Sequence, residues 1–255
     1  MNDLETIQAL NKLLDMDLKQ LDPADIIDND AFIRKTGEFQ HDSIVLRGFS
    51  TTQDTVTTLC LDYLQLDEHI LELIAQFENL ENISLRGTLV YPLSFLTGLK
   101  SLSILDLSFN QLEDISFLGS LHSLTALYLS YNMVHKGDVL TKLPNLYALD
   151  LSANRIENYG FLHGIQKLAC LYLSYNQITD ASFLKDLTGL VHLDLSNNQI
   201  SDTSFLQNLT NLSSLDLSEN EITDTSFLKN LKNLHSFSIH ENPVVHNTSQ
   251  PPYNP

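Results

Sequence analysis

His192, Asp194 and Ser196 bring the three residue types of a hydrolytic triad into one short stretch. They alternate with leucines as on an extended strand. All three then face one way at spacings of roughly 6.8 Å, beyond the reach that proton transfer needs. The serine also belongs to a column, Ser108, Ser130, Ser152, Ser174, Ser196 and Ser218, at a constant interval of 22 residues, so a repeat demands it rather than a reaction. His235, His240 and Glu241 offer metal-ligand types, but they come from opposite edges of one strand and no fourth ligand is evident. There is no glycine-rich phosphate loop, Cys-x-x-Cys pair or catalytic cysteine motif. Neither an enzyme, nor a metal site, nor a cofactor is expected.

The residues that remain are aromatic and acidic, and where they lie depends on the repeat. Residues 168–233 hold three copies of one 22-residue sentence: LACLYLSYNQITDASFLKDLTG, LVHLDLSNNQISDTSFLQNLTN and LSSLDLSENEITDTSFLKNLKN. Leucine recurs at positions 1, 4, 6, 17 and 20 and asparagine at position 9. A fixed period of this length indicates a stacked solenoid. The alternation at Leu193 and Leu195 predicts a short strand in each copy. Stacking lays these strands side by side in a parallel sheet, and the leucines of successive copies bury one another. Asparagine falls where the strand turns a corner inside the stack. Its amide can satisfy backbone groups that water does not reach. That column is Asn110, Asn132, Asn154, Asn176, Asn198, Asn220 and Asn242.

These seven asparagines in register, with the leucines around them, resemble the leucine-rich repeat family in its 22-residue class, that of internalins and phosphatase-regulator-type proteins of bacterial style. The resemblance covers roughly residues 56–244. It implies an α/β fold, a right-handed horseshoe with the parallel sheet on its concave side, and a role in protein binding. One departure stands out: five residues after the asparagine the class prefers isoleucine, whereas this chain has Ile115, Gly137, Tyr159, Ala181, Thr203 and Thr225. Two residues later Phe95, Phe117, Phe161, Phe183, Phe205 and Phe227 line up, with Val139 as the exception. They predict an aromatic spine under the convex side. Single helical turns should follow, capped by Asp180, Asp202 and Asp224 or by the serines two residues later.

Positions 2, 3, 5, 7 and 8 are the strand residues outside the leucine core. Position 5 runs Cys60, Ser84, Asp106, Tyr128, Asp150, Tyr172, Asp194, Asp216, Ser238; position 8 runs Tyr63, Gly87, Phe109, Tyr131, Ala153, Tyr175, Asn197, Glu219, Glu241; position 2 adds Tyr147. Eight acids on this face, Asp62, Glu81, Asp106, Asp150, Asp194, Asp216, Glu219 and Glu241, meet one base, Arg86. Phe109, Tyr128, Tyr131, Tyr147, Tyr172 and Tyr175 cluster on four consecutive strands, a density of aromatics that invites a partner. The expected site is this aromatic centre together with the acids around it. The expected partner is a protein with a basic surface, held by occlusion or recruitment, and an effector or effector antagonist is the role suggested by analogy. A phosphatase-regulatory adaptor and a self-assembling structural protein are the alternatives. The net charge of −18 disfavours nucleic acid and anionic membrane as partners.

The ends complete the plan. Residues 1–55 fall outside the period and are expected to form an N-terminal helical cap. Leu4, Ile7, Leu10, Leu14, Leu18 and Leu21 predict an amphipathic helix from Asp3 to about Gln20. A second short helix through Phe32 and Ile33, stopping near Gly37, and a strand from Ser43 to Phe49 are expected next. The array, 56–245, has eight full repeats and a partial ninth. Its first copies are atypical, with Leu64 and Thr88 at the asparagine position. Residues 246–255 read as a mobile, proline-rich tail. Cys60 and Cys170 lie five repeats apart, about 24 Å, and cannot pair. The sequons at Asn82, Asn208, Asn211 and Asn247 follow from the repeat's own vocabulary. No basic leader precedes Leu10 and no run of 18 apolar residues exists. A cytoplasmic protein, monomeric on its own, is expected, with delivery to a host cell by a secretion system independent of signal peptides as the variant of that reading.

Overall fold

Short alternating segments joined by tight turns cannot each bury an apolar face, so the chain coils and stacks. The computed structural model describes residues 2–21, 47–53 and 55–244. It contains one sheet of 11 strands in strict chain order. β1 is Lys19–Gln20, β2 is Arg47–Thr52 and β3 is Thr55–Leu61. β4 to β11 are three-residue strands: Asn82–Ser84, Ile104–Asp106, Ala126–Tyr128, Ala148–Asp150, Cys170–Tyr172, His192–Asp194, Ser214–Asp216 and Ser236–Ser238. From β3 onward every pairing is parallel and joins equivalent positions of successive copies, as in Tyr128↔Asp150 and Asp150↔Tyr172. Only β2 and β3 run antiparallel.

The leucines do what their spacing predicts. In the seventh coil Leu190, Leu193, Leu195, Leu206 and Leu209 are all buried, and one continuous core runs from Ile7 to Leu234. On the return side of the coils lie 3-10 turns such as Ser116–Ser120, Ser204–Asn208 and Ser226–Asn230. Asp114, Asp180, Asp202 and Asp224 open their turns by accepting the amide of the serine two residues on, at 2.8–3.0 Å.

The asparagine column is a hydrogen-bond ladder. The Nδ2 of Asn198 donates to its own coil's Leu195 and Ser196 carbonyls and to Leu173 of the coil before. Its Oδ1 accepts the amide of Ile178, also in the coil before. Thr88 takes over in the second coil: its hydroxyl donates to the Leu85 carbonyl, and Asn110 Oδ1 accepts the Leu89 amide.

The phenylalanine spine explains the one irregular region. Gly137 is buried against the Phe161 ring, and a Cβ there would sit 2.3 Å from it. In the next coil Tyr159 stacks on Phe183 with ring centroids 5.0 Å apart. Both departures from the repeat pattern thus pack against the regular phenylalanine of the next coil.

At the N-terminal end the helix α1 spans Asp3–Leu14, opened by a capping box between Asn2 and Glu5. It is shorter than the Asp3 to Gln20 expected from leucine spacing. Asp15 takes a left-handed conformation, and the Asn11 side chain accepts the Leu18 amide, so the chain turns back into β1 and still buries Leu18. Asp3 accepts the amide of Val56 at 2.8 Å, tying the helix to β3. Helix and strands together thus precede the first coil. The first coil returns through a true α-helix, α2, Glu68–Ile74. The expected helix near Phe32, the start of the strand at Ser43, the tail 246–255 and the sequon at Asn247 lie outside the described residues.

Candidate functional site

Position 5 comes last in each strand, and its carboxylates fold back onto the backbone. The Oδ1 atoms of Asp106, Asp150, Asp194 and Asp216 accept the amide of the serine two residues on, at 2.8–2.9 Å. This closure is a local habit of aspartate. It leaves Asp106, Asp150 and Asp194 buried and Asp216 half-buried. Asp62, also counted among the eight acids of the face, is buried and bonded to the Ser84 hydroxyl. The exposed acids of the face are Glu81, Glu219 and Glu241.

Burial pushes the carboxyls of Asp106 and Asp194 up to about 6, against the lowering effect of the Ser108 and Ser196 hydrogen bonds. Folded values above the ordinary 3.8 make the charged forms costly in the folded state. The associated stability is therefore full below pH 4 and lost as pH rises through 6. Asp194→Asn, which keeps the acceptor and removes the charge, is expected to raise unfolding stability at pH 7 by on the order of 2–3 kcal/mol. Near pH 4 that gain should vanish. Urea unfolding at the two pH values checks this, and an equal gain at both would contradict it.

The tyrosines divide into two sets. Tyr172 is buried and Tyr128 half-buried. With Ala126, Ala148, Ala169 and Cys170 they form a second apolar cluster, separate from the leucine core. Ala126, Ala148 and Cys170 pair in register at position 3, and these small residues leave room for the two rings to lie along the sheet. Desolvation raises both phenols. Tyr131, Tyr147 and Tyr175 are 38%, 43% and 54% exposed, and Phe109 is half-buried.

Position 8 carries a feature that the period did not reveal. Tyr63, Gly87, Phe109, Tyr131, Ala153, Tyr175, Asn197, Glu219 and Glu241 all have φ between +50° and +63°. This left-handed turn, costing roughly 1–2 kcal/mol at each non-glycine residue, carries the chain from the strand into the buried asparagine. Gly87 and Asn197 are the residues whose types fit it, and they were the available signal. Two neighbouring rings of the row stack across coils. Phe109 and Tyr131 lie face to face at 4.3 Å with planes 10° apart. The Arg86 guanidinium sits 4.6 Å from the Phe109 ring centre, and its Nε donates to the Tyr63 hydroxyl at 3.3 Å. Arg86 and Tyr63 thus extend the aromatic group toward the N-terminal end; the arginine in a serine column was the clue.

Asp194 accepts the amide of Ser196 at 2.9 Å, the same closure as at the other position-5 aspartates. His240 Nδ1 pairs with the hydroxyls of Ser218 and Ser238 at 2.9 and 2.8 Å. Among the described residues no three His, Cys, Asp or Glu side chains converge as metal ligands. Cys60 is buried and its thiol is pushed up to about 12, chiefly by burial.

Family models of leucine-rich repeats match residues 166–208, as two copies, and residues 98–115 and 208–226 as single repeats. An internalin of Listeria monocytogenes, inlF, is 30% identical with a TM-score of 0.65. A second from that species, internalin C2 (inlC2), is 29% identical with a TM-score of 0.67, over 90% of this chain and 96% of that one. The chain is a leucine-rich-repeat protein, related to the bacterial internalins. The match to inlF covers 74% of this repeat protein but only 56% of inlF. The repeat protein is also similar to a plant peptide hormone receptor, RGFR1, solved in complex with RGF2, at 25% identity and a TM-score of 0.52 over 67% of this chain and 30% of the receptor. No curated protein sequence matches it. Fold and relatives together make it a non-catalytic, protein-binding module.

Proposed function

We propose that the repeat protein seats a basic protein on its concave face and acts by covering or recruiting it. The observation that carries this reading is the exposure of Tyr131, Tyr147 and Tyr175 on three consecutive coils. Rings that stand clear of the core cost solubility when unpartnered and are favoured anchors at interfaces. Beneath them Tyr128 and Tyr172 form a platform, while Glu219 and Glu241 extend the same row toward the C-terminal end with negative charge. The net charge of −18 would speed encounter with a basic surface. Nine strands of the array span about 38 Å, enough for an interface of roughly 800 Å² per side.

The likeness to internalins supports an effector or effector-antagonist role, and the residence we propose is a cytoplasm, that of the producing cell or of a host. The test is affinity purification from the source organism and from a candidate host lysate. Wild-type protein runs beside the variant Tyr131→Ala with Tyr175→Ala. A protein retained by the first and lost by the second supports the reading. One retained equally by both moves the site elsewhere.

A further inference from the structure

We infer that the flank of the second to fifth coils, where the chain returns from the 3-10 turns to the next strand, docks a short acidic segment of a protein through Lys100, Lys142 and Lys167. This surface lies outside the concave face and does not depend on it.

The last six residues of these coils, 96–101, 118–123, 140–145 and 162–167, hold three lysines, two histidines and no carboxylate, in a chain whose net charge is −18. Lys100, His122, Lys142 and Lys167 are exposed, one from each coil. Bonds across the coils hold them side by side. The Lys100 carbonyl accepts the Ser123 hydroxyl at 2.8 Å, joining the second coil to the third. His122 Nδ1 lies 3.2 Å from the Lys142 carbonyl, and the His122 carbonyl accepts the Asn145 side-chain amide at 3.3 Å. Lys167 Nζ donates to Asn145 Oδ1 at 2.9 Å. Gly119 makes room for Lys142: a Cβ there would sit 3.1 Å from the Lys142 Cδ, so the lysine stem lies against the third coil. Among the described residues the ion pairs are His69–Glu72 and His163–Asp186, and none of the three lysines takes part in them.

The ends of this ridge set the size and kind of its occupant. Glu78 holds the second-to-last place of the first coil, as Lys100 does in the second, and Asp186 holds in the sixth coil the place of Lys142 in the fourth. Both acids are exposed. Coils about 4.8 Å apart make the basic stretch between them about 14 Å long. An extended segment of about five residues covers that length. A bilayer surface or a continuous phosphate backbone would run on over Glu78 and Asp186, where like charge repels it. The net charge of the whole chain does not decide the contact, because exposed charges beyond about 8 Å are largely screened at physiological salt. The local sign does.

The probe is acetyl-pentaglutamate amide, titrated at about 50 mM salt into the ¹⁵N-labelled chain. Saturable amide shifts are expected in residues 98–101, 120–123, 142–145 and 164–167, and the capped pentaglutamine peptide should produce none. Lys142→Glu with Lys167→Glu should weaken binding about tenfold. Lys229→Glu with Lys232→Glu changes the net charge equally in the eighth coil, off the ridge, and should weaken it by less than about twofold. All four lysines are exposed, and unchanged spectra away from the substitutions verify that each variant is folded. Absent shifts, equal shifts with pentaglutamine, or equal losses in the two double variants would each overturn the ridge. Phosphatidylserine vesicles or an oligothymidine binding through Lys142 and Lys167 where the peptide does not would overturn it in favour of a membrane or a nucleic acid. The peptide should bind Tyr131→Ala with Tyr175→Ala as it binds wild type, so the two surfaces are judged separately. Loss in that variant would place the peptide in the hollow and overturn the ridge.

Discussion

Asn198→Ala is expected to lower the stability of the array by about 3 kcal/mol, the upper end for buried groups left unpaired. Asn198 is buried, and its amide serves three carbonyls and one amide drawn from two coils. Alanine removes all four partners at once, at a buried corner. Because each coil rests on its neighbours, the loss falls on the interface between coils as well as on one turn. Asn242 makes the same set of bonds but is only half-buried, in the last coil, and its replacement should cost much less. Urea midpoints of the two variants check the contrast. A wild-type midpoint for Asn198→Ala would contradict the ladder's role.

Tyr131→Ala with Tyr175→Ala is expected to weaken partner binding about 100-fold or more, the cost of losing two anchors at the centre of an interface. The fold should survive, since both rings lie outside the buried clusters and the stack of Tyr131 on Phe109 is the contact given up. Tyr172→Ala would be a poor choice for the same experiment. Its ring is buried in the cluster with Ala148 and Cys170, so binding and stability would fall together. Affinity measured by calorimetry alongside a melting curve separates the two effects. Undiminished affinity in the double variant would place the contact elsewhere.

The period made the sheet, its register and the asparagine ladder legible, because a leucine or asparagine at a fixed interval has one physical use in a stack. What lay outside the period was harder to read. The helix ends at Asp15 because Asn11 captures the Leu18 amide, a contact with no counterpart in leucine spacing. Asp106, Asp150 and Asp194 share a strand face with the tyrosines, which made them look accessible. Their folding back onto Ser108, Ser152 and Ser196 depends on a two-residue turn that hydrophobic patterning does not report. The left-handed row was hidden because tyrosine and glutamate, not glycine, occupy most of it. The exposure of Tyr131 and Tyr175 accompanies that turn at position 8, whereas Tyr128 and Tyr172 sit at position 5 at the end of the strands.

The proposed partner is expected to sit in the hollow of the solenoid. Hydrogen exchange of the repeat protein, alone and saturated with its captured partner, tests it most directly. Added protection is expected in peptides covering residues 126–153 and 170–176, with the 3-10 turns on the return side of the coils, such as Ser204–Asn208 and Ser226–Asn230, exchanging as before. Protection confined to those turns, with the strands unchanged, would contradict it.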